Sequence, residues 1–262
     1  MTRVRTLAAV VWMETLRRKD LYVLLILLLA LLAVLTSVNV FGLGAVARYL
    51  LDVGLLFAWL FSIVLATGVA ARQLPHEEAR GTIYPLLAKP ILRSELLVGK
   101  WVGVWTAAAA ATGMFYLAVL LAAAARGGTV QAGCLAQALA LHLTGLGCVT
   151  ALAIAFSTRM TSSAAAAMTY VVTGAAFLLG PRVPELLAHE RGFHAAGLLF
   201  AYYALPHLEL FDLRQRLVHD WGPVPWGTAL GIIGYGAIWI ALLLLAGWLA
   251  YRGKRFRRGY LG

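Results

Sequence analysis

The chain alternates between long apolar runs and short polar joints. Runs at 21–41, 52–71, 98–125, 132–156, 164–180 and 228–251 are each long enough to cross a hydrocarbon layer about 30 Å thick. They predict an all-α integral membrane protein with six transmembrane helices, one membrane domain over 1–262. The joints have their own patterns. In residues 1–20, Val4, Leu7, Ala8 and Val11 recur at helical spacing among Arg3, Arg5, Glu14, Arg17, Arg18 and Lys19. That pattern predicts an interfacial elbow helix lying in the headgroup layer. Gly42 and Gly44 end the first run. Arg126-Gly127-Gly128 makes a tight turn after the third, and Arg159 lies in the short joint 157–163.

Residues 181–226 differ in kind, being broken by Pro181, Pro184, Pro206, Pro223 and Pro225 and rich in charge. Their apolar piece, 193–205, is too short to span and predicts an interfacial or re-entrant helix. Leu208, Phe211 and Leu217 predict one side of a second amphipathic helix. Trp221 and Trp226 suit an aromatic belt at the membrane surface.

Composition narrows the class. Of 262 residues 62% are hydrophobic, far above a soluble domain. The net charge of +11 flanks the apolar runs and forms no stripe, so nucleic acid is not the expected partner. Sixteen of the 22 Lys and Arg residues fall in 1–20, 72–100, Arg159 and the tail from Arg252. The positive-inside rule therefore puts both termini and the 73–98 joint in the cytoplasm, and 181–226 outside. No cleavable signal peptide is expected, because the first apolar run is too long and follows an amphipathic lead-in. Cys134 and Cys148 share one predicted span, which indicates neither a disulfide framework nor a zinc site.

The longest polar interruption of the first half runs from Gln73 to Gly103. Pro75 suits the first turn of a new helix. Glu77 and Glu78 would then lie at its positive end. Gly81 is a natural stop, Thr82 a candidate N-cap, and Pro85 falls early in the next piece, where Ile83, Leu86 and Leu87 share a face. Lys89-Pro90 ends that piece, and Ser94-Glu95 opens the following helix. Two or three short helical pieces bent at an elbow are expected.

Glu77, Gly81-Thr82-Ile83, Leu86-Leu87, Lys89-Pro90, Arg93 and Gly99-Lys100 together resemble a pattern of the permease subunits of type-2 ABC (ATP-binding cassette) transporters. Pro85 departs from the helix former usual at its place. The resemblance implies a coupling helix between spans two and three that docks on a separate ATP-binding subunit through Glu77, Glu78, Arg80, Gly81, Thr82, Lys89 and Pro90. Arg93 and Lys100 are the residues expected to anchor at the headgroups. It further implies two ATP-binding subunits carrying the ATP and Mg, a second permease copy or paralogue, export, and a bacterial or archaeal plasma (inner) membrane. This chain itself would bind no cofactor and be no enzyme. A membrane scaffold or a non-ABC membrane enzyme is the alternative.

Candidate chemistry is sparse. Gly99-Lys100 is no P-loop end, since Trp101 replaces the required Ser/Thr and Ser94 the first Gly. No pair of acidic residues converges within a span, as acid–base work would need. His189, His194, His207 and His219 raise a metal site, but their spacing matches no standard ligand pair. The favoured reading is surface or interfacial histidines. His142, inside span four, reads as a hydrogen-bonded interhelical residue. Thr67, Thr169 and Thr173 would suit a pathway for an amphiphile, or bond back to their own helices. Gly99/Gly103 and Gly227/Gly231, with Gly133, Gly145 and Gly147, serve helix packing within one subunit or a homodimer interface.

Overall fold

The computed structural model describes residues 2–37, 46–79, 92–189 and 192–254. Among these it is helical, with turns and short 3-10 segments as joints and no strand. An N-terminal helix α1 (Thr2–Arg17) precedes α2 (Asp20–Ser37), α3 (Val46–Ala79), α4 (Arg93–Ala124), α5 (Ala132–Ser157) and α6 (Ser162–Leu179). A 3-10 turn, Gly180–Arg182, leads into α7 (Val183–His189) and α8 (Phe193–Ala204). A second 3-10 turn (Leu208–Phe211) and α9 (Arg214–Val218) precede the last helix, α10 (Trp226–Arg252). Among the described residues six helices are long and apolar enough to span a membrane: α2 to α5, α6 with its continuation to Ala188, and α10. The protein is an all-α, six-span membrane protein.

The spans divide into an inner and an outer set. The hydrophobic windows of α3, α4 and α5 are buried over much of their length; those of α2, α6 and α10 are mostly uncovered. An uncovered leucine face is what a span shows to lipid. Small residues set the close approaches. A Cβ on Gly99 would lie 2.9 Å from Leu7, and one on Gly103 2.8 Å from Val11 and 2.9 Å from the Ala8 backbone. This glycine pair is thus the bed of α1 on α4. Trp12 Nε1 fastens it by donating to Thr106 Oγ1 at 2.9 Å. Gly145 and Gly147 likewise admit Phe211 and Ile240, so small-residue packing within one chain accounts for both. A Cβ on Gly227 or Gly231 would meet no other described part of the chain within 4 Å.

Several expectations are corrected. Pro75 opens no new helix; it sits inside α3, which runs unbroken to Ala79. The missing N–H removes one helical bond near the end of the helix, and the burial of Ala70, Ala71, Gln73 and Leu74 holds the turn in register. α3 also outruns its apolar core, starting at Val46 where 52 was expected, while α4 starts at Arg93, one residue before the expected Ser94-Glu95. Leu208, Phe211 and Leu217 do not share one helix. Asp212 interrupts them in an extended conformation, and its carboxylate accepts the Arg214 backbone N–H (3.1 Å) and guanidinium (2.8 and 2.6 Å). All three apolar side chains are buried against the bundle. Helix α7 was not foreseen. The helix expected at 193–205 is found as α8, and the turn at Arg126–Gly128 has Gly127 at φ +76°, a conformation that favours glycine.

Candidate coupling site

Where α3 ends and α4 begins, four helices are tied together by charge. Glu77 and Glu78 close α3; Arg93 and Lys100 open α4. Lys100 is 2% exposed and ion-pairs with Glu77. Its expected place at the headgroups is therefore corrected. A lysine near the start of α4 faces α3, and an ammonium taken out of water needs a carboxylate beside it. Glu78 turns to another partner. Its oxygens accept from Lys254 Nζ at 2.8 and 2.7 Å, and the same ammonium donates to the carbonyl of Thr158, at the end of α5, at 3.0 Å.

Arg93 also has protein partners. It donates to the carbonyls of Tyr251 (2.8 Å), Arg252 (2.6 Å) and Lys254 (3.3 Å) and lies 5.8 Å from the centroid of the Tyr251 ring. The first two are carbonyls of the last turn of α10, which a helix end leaves without intrahelical donors, and a guanidinium there complements the negative end of α10. Glu95 fixes the start of α4 by accepting the Leu92 N–H at 3.0 Å, the role expected of Ser94-Glu95. Arg80, Gly81, Thr82, Lys89 and Pro90 lie outside the described residues.

A groove of about 340 Å³ runs beside this site, between α2, α3 and α6. Val64, Leu65, Gly68 and Arg72 of α3 line it with Asp20, Val23, Leu24 and Tyr170. Arg72 pairs with Asp20 at 2.7 Å, and Tyr170 donates to the carbonyl of Val64 at 3.1 Å. On α10 the large exposed residues Leu230, Ile238, Leu242, Leu245 and Leu249 carry no charge.

In the interior, His142 joins three spans. Ser62 Oγ donates to the carbonyl of Trp59 (2.7 Å) and so accepts from His142 Nε2 (2.8 Å), which leaves Nδ1 to accept from Tyr116 (3.0 Å). This is the interhelical bonding expected of His142. Thr67, Thr169 and Thr173 are buried within the single chain, and Thr169 bonds back to the carbonyl of Ala165 at 2.7 Å. The other two hydroxyls have no partner among the described residues. None of the three opens onto the chain's surface.

The histidines of 181–226 lie apart in their contacts. His194 is exposed, His207 Nδ1 sits 3.2 Å from Glu209, and His219 stacks on Trp221. The side chain of His189 lies outside the described residues. Among the described residues no three His, Cys, Asp or Glu side chains group as metal ligands.

The described residues form a six-span helical membrane bundle, with many of its charged residues towards the helix ends. The family follows from comparison. A model of the ABC-2 family transporter protein matches residues 13–195, most of the chain, and the chain belongs to that family. No curated protein matches it. Members of the family are the membrane permeases of ABC transporters. Lys254, Tyr251 and Thr158 are the site residues that the sequence pattern does not reveal. Their partners lie 96 to 176 positions away, beyond the reach of any periodic signal.

Proposed function

We propose that this chain is the non-catalytic permease subunit of an exporter, driven by a separate ATP-binding subunit that docks on the segment between α3 and α4. The observation that carries the reading is the family match over 13–195, which includes that segment. Arg80, Gly81, Thr82, Lys89 and Pro90 then form the docking elbow. Glu77, Glu78, Arg93 and Lys100 form its fixed base, because their charges are taken up by one another, by Lys254 and by helix-end carbonyls. Two permease chains, or one with a paralogue, pair with two ATP-binding subunits that hold ATP and Mg. Both termini and the elbow face the cytoplasm of a bacterial or archaeal cell, as the Lys and Arg distribution favours.

The pathway lies between the two permease chains, along the α2–α3–α6 groove. An ion pair at its end suits a water-accessible wall, whereas the charge-free leucine face of α10 suits lipid. With Thr67, Thr169 and Thr173 buried in one chain, their hydroxyls belong to the helices behind that wall.

The test is reconstitution in nanodiscs with the cognate ATP-binding subunit. Hydrolysis should be stimulated by the permease, and Gly81→Leu should abolish that stimulation. A subunit that does not bind, or stimulation untouched by Gly81→Leu, would defeat the reading.

A further inference from the structure

The last span is joined to the base of the elbow at one end and to the 207–211 segment part-way along its length, at Tyr235 and Gly236. At the first end the two joints flank the residues between α3 and α4. Glu78, on the last turn of α3, holds Lys254; Arg93, the first residue of α4, holds the carbonyls of Tyr251, Arg252 and Lys254. One short stretch at the end of α10 thus receives both. Lys254 adds a third tie, to the Thr158 carbonyl at the end of α5.

From there α10 follows α5 in close contact. A Cβ on Gly247 would lie 3.2 Å from the Ala155 backbone, and one on Gly147 2.8 Å from Ile240. Packed helices at such distances shift as bodies and do not bend to absorb displacement. Near the middle of both helices Phe211 is wedged between them. It lies 3.1 Å from a Cβ built on Gly145 of α5, and 2.9 Å from one built on Gly236 of α10. Tyr235 completes the seat, its hydroxyl accepting the His207 backbone N–H at 3.0 Å.

We infer that the α5–α10 pair is a strut that carries displacement of the α3/α4 base to the 207–211 segment, with Glu78, Arg93 and Lys254 as its positioning residues at one end and Phe211 midway along the pair. The inference rests on the coupling reading above and adds a route to it. Spans two and three are not the sole receivers of the stroke. The fourth and sixth receive it through the Lys254 and Arg93 joints and deliver it to the outer segment.

A Leu210→Cys reporter reads the 207–211 segment, since Leu210 is 42% exposed and the native Cys134 and Cys148 are buried. In nanodiscs with the ATP-binding subunit, a membrane-impermeant maleimide should label the introduced thiol at rates that differ between the nucleotide-free and ATP–vanadate states. Glu78→Lys or Lys254→Glu should shrink that difference at least about fivefold, as loss of a charge-assisted contact implies, and the exchanged pair E78K/K254E should restore it to within about twofold. Phe211→Ala should abolish the difference while the stimulated ATPase rate stays. A nucleotide response unchanged in all three single variants overturns the strut, and so does an exchanged pair no better than its parents.

A second measurement covers variants that fail to fold. Glu78→Cys with Lys254→Cys replaces two long side chains that meet at their tips, so a bis-methanethiosulfonate reagent should bridge the thiols in the permease alone. The bridged permease, in complex with the ATP-binding subunit, should keep the labelling response, because the two positions travel together. Loss of the response on bridging means that the joint opens during the cycle, and the strut is refuted. Bridging in the permease alone needs no ATP-binding subunit, so failed stimulation by the unmodified chain would count against the coupling reading and leave the proximity of the two positions standing.

Discussion

Trp12 and Thr106, 94 residues apart, meet through an indole N–H that donates to the threonine hydroxyl at 2.9 Å. The bond marks where the N-terminal helix lies along the fourth, in a bed made by Gly99 and Gly103. Leu7 and Val11 are buried there. Replacing Gly103 by Leu should dislodge α1, since even a Cβ would meet the Ala8 backbone at 2.9 Å and backbone cannot swing aside as a side chain can. The expected result is a melting temperature in detergent lowered by several degrees, with cysteines placed on α1 becoming reactive. Trp12→Phe should cost only about 1 kcal/mol, the usual net worth of one hydrogen bond.

Lys100 and Glu77 make the next test. Removing one partner of a buried ion pair leaves an uncompensated charge, at a cost of about 3–5 kcal/mol; removing both costs far less. Lys100→Met should therefore destabilise the chain strongly, and Lys100→Met with Glu77→Met should recover most of the loss in a thermal-shift assay. Equal melting temperatures for the single and double variants would place the lysine in water.

The polar chain through His142 gives a chemical distinction. With Nε2 donating to Ser62 and Nδ1 accepting from Tyr116, Tyr116→Phe deletes a donor and leaves one buried acceptor unmatched. His142→Ala strands both neighbours and opens a cavity. Unfolding measurements should rank His142→Ala below Tyr116→Phe, the latter losing about 1–3 kcal/mol.

Two glycines of the last helix should respond in opposite ways. A Cβ on Gly236 would collide with Thr144 and come within 2.9 Å of Phe211, while Gly227 has open space. Gly236→Ala should lower stability by about 1–3 kcal/mol through overpacking. Gly227→Ala should change it by no more than about 0.5 kcal/mol, in a thermal shift of the isolated chain.

Much of the architecture was legible because the bilayer fixes span length and burial of polar backbone. Six apolar runs became six helices, 193–205 became α8, and His142 found polar partners on other spans. What failed to show was decided by tertiary contact. Pro75 reads as a helix start in isolation, yet buried neighbours carry α3 through it. Lys100 follows a glycine near a span's end, where an anchor in the headgroups and a pair inside the bundle have the same local pattern. Asp212 breaks 208–217 through its bond to Arg214, which apolar spacing does not reveal. The joint from Glu78 to Lys254 spans 176 residues, and no periodicity reaches that far.

The bed of Gly99 and Gly103 has a practical side. A shortened version of the protein beginning at Asp20 would bare a furrow down the flank of the third span, two missing side chains wide, that detergent or a stray neighbour would fill. The first nineteen residues are masonry, and trimming them would change what the remaining helices lean on.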